Sequence, residues 1–156
     1  MNTYQILALC AAIVIALPII VIIVRSRKLP ESISGLSYTM PDGVFTAWMA
    51  LVGILLAPAL FDMAHGWERY LIFAMLACLF AVASSPYYKE SGKVVHTIAG
   101  WIAAICATVF VYFESEVWLL TWFLFPPFVN RIYRVFIAEL ICLVALFLTI
   151  FYCIPI

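Results

Sequence analysis

Three serines, a tyrosine and a threonine crowd into eight residues of the stretch Ser32-Ile-Ser-Gly-Leu-Ser-Tyr-Thr-Met-Pro-Asp42, and a histidine, His96, opens a later apolar run. Hydroxyl, imidazole and carboxylate are the parts of a nucleophile, its base and an orienting acid. Ser32 or Ser34 with His96 and Asp42 therefore forms a candidate hydrolytic constellation. Each residue also has a plainer use. Asp42 stands before an apolar run, where a carboxylate accepts from the free N–H groups of a helix start. His96 and Tyr38 sit where a side chain meets a ligand or a lipid headgroup. Glu139 lies one turn inside the last apolar run, where an ionisable group costs on the order of a few kcal/mol at full membrane depth and less near the interface. It either pairs with Arg131 or Arg134 or presents a polar contact to a cavity. Ser32, Ser34, Tyr38, Asp42, His96 and Glu139 are thus the candidate ligand-binding residues; no catalytic residue is assigned.

A second cluster, Asp62-x-x-His65-x-x-Glu68, spaces metal-ligand types three apart, and Glu114 and Glu116 can approach it. It reads either as a weak divalent-cation site or as solvated loop charge, since Gly66 interrupts helical geometry. The five cysteines, Cys10, Cys78, Cys106, Cys142 and Cys153, have no CxxC partner and read as small apolar packing residues. No cofactor and no metal is expected.

The elements that place these groups follow from composition. The chain has 156 residues, 68% hydrophobic and 10% charged, with a mean hydropathy of +1.19. A soluble domain averages nearer half apolar and a quarter charged, so lipid is the expected solvent. Net charge is zero, which argues against a nucleic-acid partner. Apolar runs at 4–24, 44–63, 70–85, 94–113, 117–129 and 135–154 predict six transmembrane helices in one all-α bundle spanning 1–156. Most approach the roughly 20 residues that cross about 30 Å of hydrocarbon. The run 117–129 is short and contains Pro126-Pro127.

The eight cations sort by alternate gaps. Arg25, Arg27 and Lys28 lie in the first, Lys89 and Lys93 in the third, Arg131 and Arg134 in the fifth; Arg69 alone lies in an even gap. Short loops rich in Lys and Arg stay cytoplasmic, so both termini are expected outside, with the serine-rich loop and His96 at one surface and His65 at the other. Without the run at 117–129 Arg131 and Arg134 would fall outside, and the asymmetry would shrink from seven against one to five against three. No basic region precedes the first run and no small-x-small cleavage site follows it, so it reads as a retained span.

Small residues at helical spacing, Ala77 and Ala81, then Ala99, Ala103 and Ala107 beside Gly100 and Ala104, predict close helix approach between the third and fourth spans. Pro18 and Pro58 predict kinks. Trp48, Trp67, Trp101, Trp118 and Trp122 read as interfacial anchors. Residues 1–78 and 79–156 show no convincing internal duplication. The loop at 25–43 is too polar for a span and too apolar, through Ile33, Leu36, Tyr38 and Met40, for a solvated linker. It is expected at the headgroups or folded over the mouth of the bundle.

Ser32-Ile-Ser34, Tyr38-Thr39, Asp42, Phe45 entering a span, Gly53, Asp62 and then His96 before small residues resemble a bacterial six- to seven-span membrane family of unknown function. The resemblance covers roughly residues 30–105. More distantly the chain resembles the hydrolase superfamily of alkaline ceramidases and progestin/adiponectin receptors, which use Ser, Asp and three His around zinc. Gly100 stands four residues after His96, where that superfamily's HxxxH pair would need a second histidine, so the zinc ligands are missing. The resemblance implies a bacterial inner membrane. The expectations are then three: a non-enzymatic protein holding a lipid, another apolar ligand or a partner's spans at its cytoplasmic mouth; a lipid amide or ester hydrolase; or a small oligomeric channel or transporter. The expected partners are membrane lipids, further copies of the chain or another membrane protein.

Overall fold

The computed structural model describes residues 2–124 and 130–154, with the backbone alone at Asp42, Lys89, Glu90, Ser91 and Leu124. Those residues are helical or in short connections, without β-strand. Five α-helices carry the structure: α1 Thr3–Ser26, α2 Asp42–Met63, α3 Glu68–Ser84, α4 Gly92–Glu114 and α5 Arg134–Cys153. Five helical segments in these regions are long and apolar enough to cross a membrane. Between 22% and 44% of their apolar stretches is buried in the bundle. The remaining apolar surface, including Val24, Phe73 and Trp101, needs lipid rather than water around it.

Local signals fix the ends. Asn2 and Gln5 form a reciprocal capping box on α1, the Asn2 side chain accepting from Gln5 N–H at 2.9 Å and the Gln5 side chain accepting from Asn2 N–H at 3.1 Å. The helix continues through Pro18, which has no N–H for the carbonyl of Val14. Trp48 of α2 supplies the missing donor, its indole Nε1 giving a 2.6 Å hydrogen bond to that carbonyl. Trp48 is therefore buried between two helices and is no interfacial anchor. Exposed Trp67, directly before α3, does have the position that role requires, whereas exposed Trp101 lies near the middle of α4 and does not.

The helices pack in chain order, and α5 closes the ring by touching α1 and α2 as well as α4. The contact of α3 with α4 is the most extensive, as their small residues predict. At one end of the bundle the Gln5 amide donates to the Ile154 carbonyl at 2.9 Å, and the Cys153 thiol reaches the Glu114 carbonyl at 3.5 Å. This terminal end also holds the Trp67–Phe113 edge-to-face ring pair, 4.7 Å between centroids. At the other end the loop after α1 meets the start of α5, where Glu31 O accepts from Phe136 N–H at 3.1 Å. That contact satisfies one of the unpaired N–H groups of a helix start.

Since α4 and α5 both finish at the terminal end, they run parallel, and residues 115–133 join opposite ends of the bundle. Here the structure differs from an ordinary helical span. Glu116–Leu124 is a nine-residue 3-10 helix, which covers about 18 Å at roughly 2 Å per residue. The rest of the expected run 117–129 lies outside the described residues.

Candidate functional site

The loop between α1 and α2 folds over its end of the bundle, as its mixed composition predicts. Ile33 and Leu36 are buried in the core while Tyr38 is exposed. Ser32 Oγ accepts from Gly35 N–H at 2.7 Å and opens a short 3-10 helix, Ser34–Tyr38. Beneath it stands Glu139. Its Oε2 accepts from Ile33 N–H and, at 3.3 Å, from Ser34 N–H; its Oε1 accepts the Ser34 hydroxyl at 2.5 Å. Arg131 and Arg134 are not its partners. The reason is geometric: a loop returning over α5 brings backbone donors to the inward-facing carboxylate, while the arginines are exposed at the start of the helix. No cation pairs with Glu139 among the described residues.

Ser34 and Glu139 form the polar end of a cavity of about 140 Å³ at the centre of the ring. Trp48, Met49, Val52 and Leu56 of α2 line it, as do Met75, Leu76, Leu79 and Val82 of α3. Cys142, Leu143 and Leu146 of α5 and Ile15 of α1 contribute the remaining apolar wall. From α4 come Gly100, Ala103, Ala104 and Ala107. A Cβ built on Gly100 meets nothing within 4 Å. The Gly100–Ala104 row therefore leaves room for the cavity rather than drawing helix backbones together, a correction to its expected packing role. Cys142 has a long contact of 3.8 Å with the Thr108 hydroxyl.

His96 does not join Ser32 or Ser34. Its Nδ1 lies 2.9 Å from Ser85 Oγ, both residues buried, with the rings of Tyr38 and Phe45 at 6.0 and 6.5 Å. Ser85 begins a tight 3-10 connection, Ser85–Ser91, that leads straight into α4. Gly92 is required there, because a Cβ would come within 2.6 Å of the Ser85 carbonyl. Eleven residues of chain thus hold the Ser85–His96 pair together, whereas Ser32 and Ser34 are committed to Gly35 and Glu139. Asp42 is the first residue of α2, and its side chain lies outside the described residues. Of the six candidates, Ser34 and Glu139 meet at the cavity; Ser32 shapes the loop above it; Tyr38 and His96 stand apart at the same end. The contributions of Trp48, Gly100 and Ser85 were missed, although Pro18 four residues beyond Val14 gives the one sequence signal for an inter-helix donor.

At the terminal end Asp62, His65 and Glu114 line a second, polar cavity of about 170 Å³. Glu68 Oε2 accepts from His65 N–H at 2.9 Å. No three ligand-type side chains are placed to hold a metal ion among the described residues, and Glu116 is exposed. The spacing read as a possible cation site does not become one, because Glu68 turns back to cap its own chain. His65 and His96 lie at opposite ends of the bundle. The chain matches no family model, no curated protein and no solved structure.

Proposed function

We propose that this chain is a small integral membrane protein that holds a small apolar ligand, or the end of a lipid chain, in the cavity beneath its serine-rich loop. The observation that carries this reading is the cavity itself, walled by aliphatic and thioether side chains and polar only at Glu139 and Ser34. Ligand sites are concave and mostly apolar, with a few placed polar groups. Five helices converge on this one.

The same reading includes the threading. Six crossings of a bacterial cytoplasmic membrane, with both termini outside, put Arg25, Arg27, Lys28, Lys89, Lys93, Arg131 and Arg134 on the cytoplasmic side. The parallel course of α4 and α5 supports a return crossing within 115–133. Membership of the bacterial six- to seven-span family belongs to this reading too. The Ser85–His96 contact favours a second one, a membrane hydrolase. Neither residue lines the cavity, however, and no carboxylate orients His96 among the described side chains.

The test is ligand retention. Protein extracted from membranes and purified should carry an apolar compound detectable by solvent extraction and mass spectrometry, and Ala104→Phe should lose it. Equal retention by the variant sinks the binding reading. Labelling of Ser85 by a serine-directed fluorophosphonate would favour the hydrolase instead.

A further inference from the structure

We infer that the cavity selects a ligand bearing an ammonium group on a small apolar body. This rests on the cavity being a binding site, and it adds the chemistry of the ligand. Glu139 is the one acidic side chain in the lining. A carboxylate offers roughly four acceptor positions. Two N–H groups occupy Oε2 and the Ser34 hydroxyl takes one position on Oε1, which leaves one position on Oε1 for a further donor.

The three donors already present bring dipoles and no countercharge. No cation pairs with the carboxylate among the described residues. A carboxylate drawn out of water is best compensated by an opposite charge that also hydrogen-bonds. The rest of the wall offers little to a polar ligand group: the Trp48 indole N–H is already given to Val14, and Cys142 is a weak partner. A ligand's polar end thus has one place to go, and a positively charged donor fits it. An anionic head meets like charge there. A neutral alcohol can donate but leaves the carboxylate without a countercharge.

Size bounds the body of the ligand. The volume of about 140 Å³ is close to the roughly 150 Å³ in which an aliphatic-lined cavity takes up benzene. One ring or a short chain fills it, and Met49 and Met75 in the lining can adapt to shape.

The test uses the whole protein in zwitterionic nanodiscs, with equilibrium dialysis against empty nanodiscs as the blank. Benzylammonium, toluene and benzoate serve as cationic, neutral and anionic probes of one size. Benzylammonium is expected to bind at least about tenfold more tightly than toluene, with benzoate weakest, since hydrogen bonds to a charged group are the strong ones. Glu139→Gln should remove the preference for benzylammonium over toluene. Toluene binding as tightly as benzylammonium, in a manner lost in Ala104→Phe, overturns charge selection while leaving the binding cavity standing. Failure of all three probes to bind overturns both. Should Glu139→Gln fail to fold, the order of the three probes on the unaltered protein still decides.

Discussion

Gly100→Leu should make the ligand-free protein more stable and at the same time abolish ligand retention, a combination that separates a cavity from a packed interface. The substitution sends an isobutyl group into space where a Cβ meets nothing within 4 Å. Cavity volume costs about 24 cal/mol per Å³ in buried-core measurements, so the whole 140 Å³ corresponds to about 3 kcal/mol. A leucine fills part of it, which gives about 1–2 kcal/mol. Replacing a mid-helix glycine adds about 0.8–1 kcal/mol from backbone conformational freedom. The expected gain is therefore about 2–3 kcal/mol, against a general tendency for core substitutions to destabilise. Reversible unfolding in detergent, followed by far-UV circular dichroism on delipidated samples, measures the first half; solvent extraction and mass spectrometry measure the second. If Gly100 instead sits in a tight helix contact, added bulk costs about 1–3 kcal/mol. Destabilisation of that size would refute the reasoning, as would a stabilised variant that keeps its ligand.

Glu139→Ala removes the acceptor shared by Ile33 N–H, Ser34 N–H and the Ser34 hydroxyl. It should cost about 1–3 kcal/mol and speed amide hydrogen exchange at Ile33 and Ser34 while leaving α3 protected; unchanged exchange at both amides would show that the loop is held by other contacts. Trp48→Phe leaves the Val14 carbonyl beside Pro18 without its donor. A loss of about 1–2 kcal/mol is expected in the same unfolding assay, and no loss at all would mean that water replaces the indole. Topology is tested with single cysteines in a background where the five native ones are replaced. A membrane-impermeant maleimide applied to intact cells should label His65→Cys and Glu116→Cys, and should spare Lys93→Cys and Asn130→Cys. Labelling of Asn130→Cys from outside would remove the crossing within 115–133, and labelling of Lys93→Cys would reverse the bundle.

Much of the architecture was legible without coordinates because solvent preference is written locally. A stretch such as Thr3–Ser26, apolar on every side, is recognisable as a lipid-facing helix whatever it packs against. The alternating loop cations, the kink residues and the half-apolar stretch around Ile33 and Leu36 are likewise properties of short windows. Of these, the half-apolar stretch pointed to the loop that folds over one end of the bundle, where Ile33 and Leu36 are buried. The candidate site was legible only by residue type. Ser34 and Glu139 could each be named as unusual, yet 105 residues separate them, and nothing local says that one will accept from the other.

Only the closing of the helical ring decided that pairing, and with it the cavity that Ser34 and Glu139 cap. It also turned Trp48 from a membrane-surface anchor into the donor for Val14, gave His96 to Ser85, and made the Gly100–Ala104 row a wall instead of a seam. Sequence periodicity records which face of a helix is small or apolar. Whether that face meets another backbone or an empty volume depends on how five helices share the space between them, and that is a property of the assembled bundle alone.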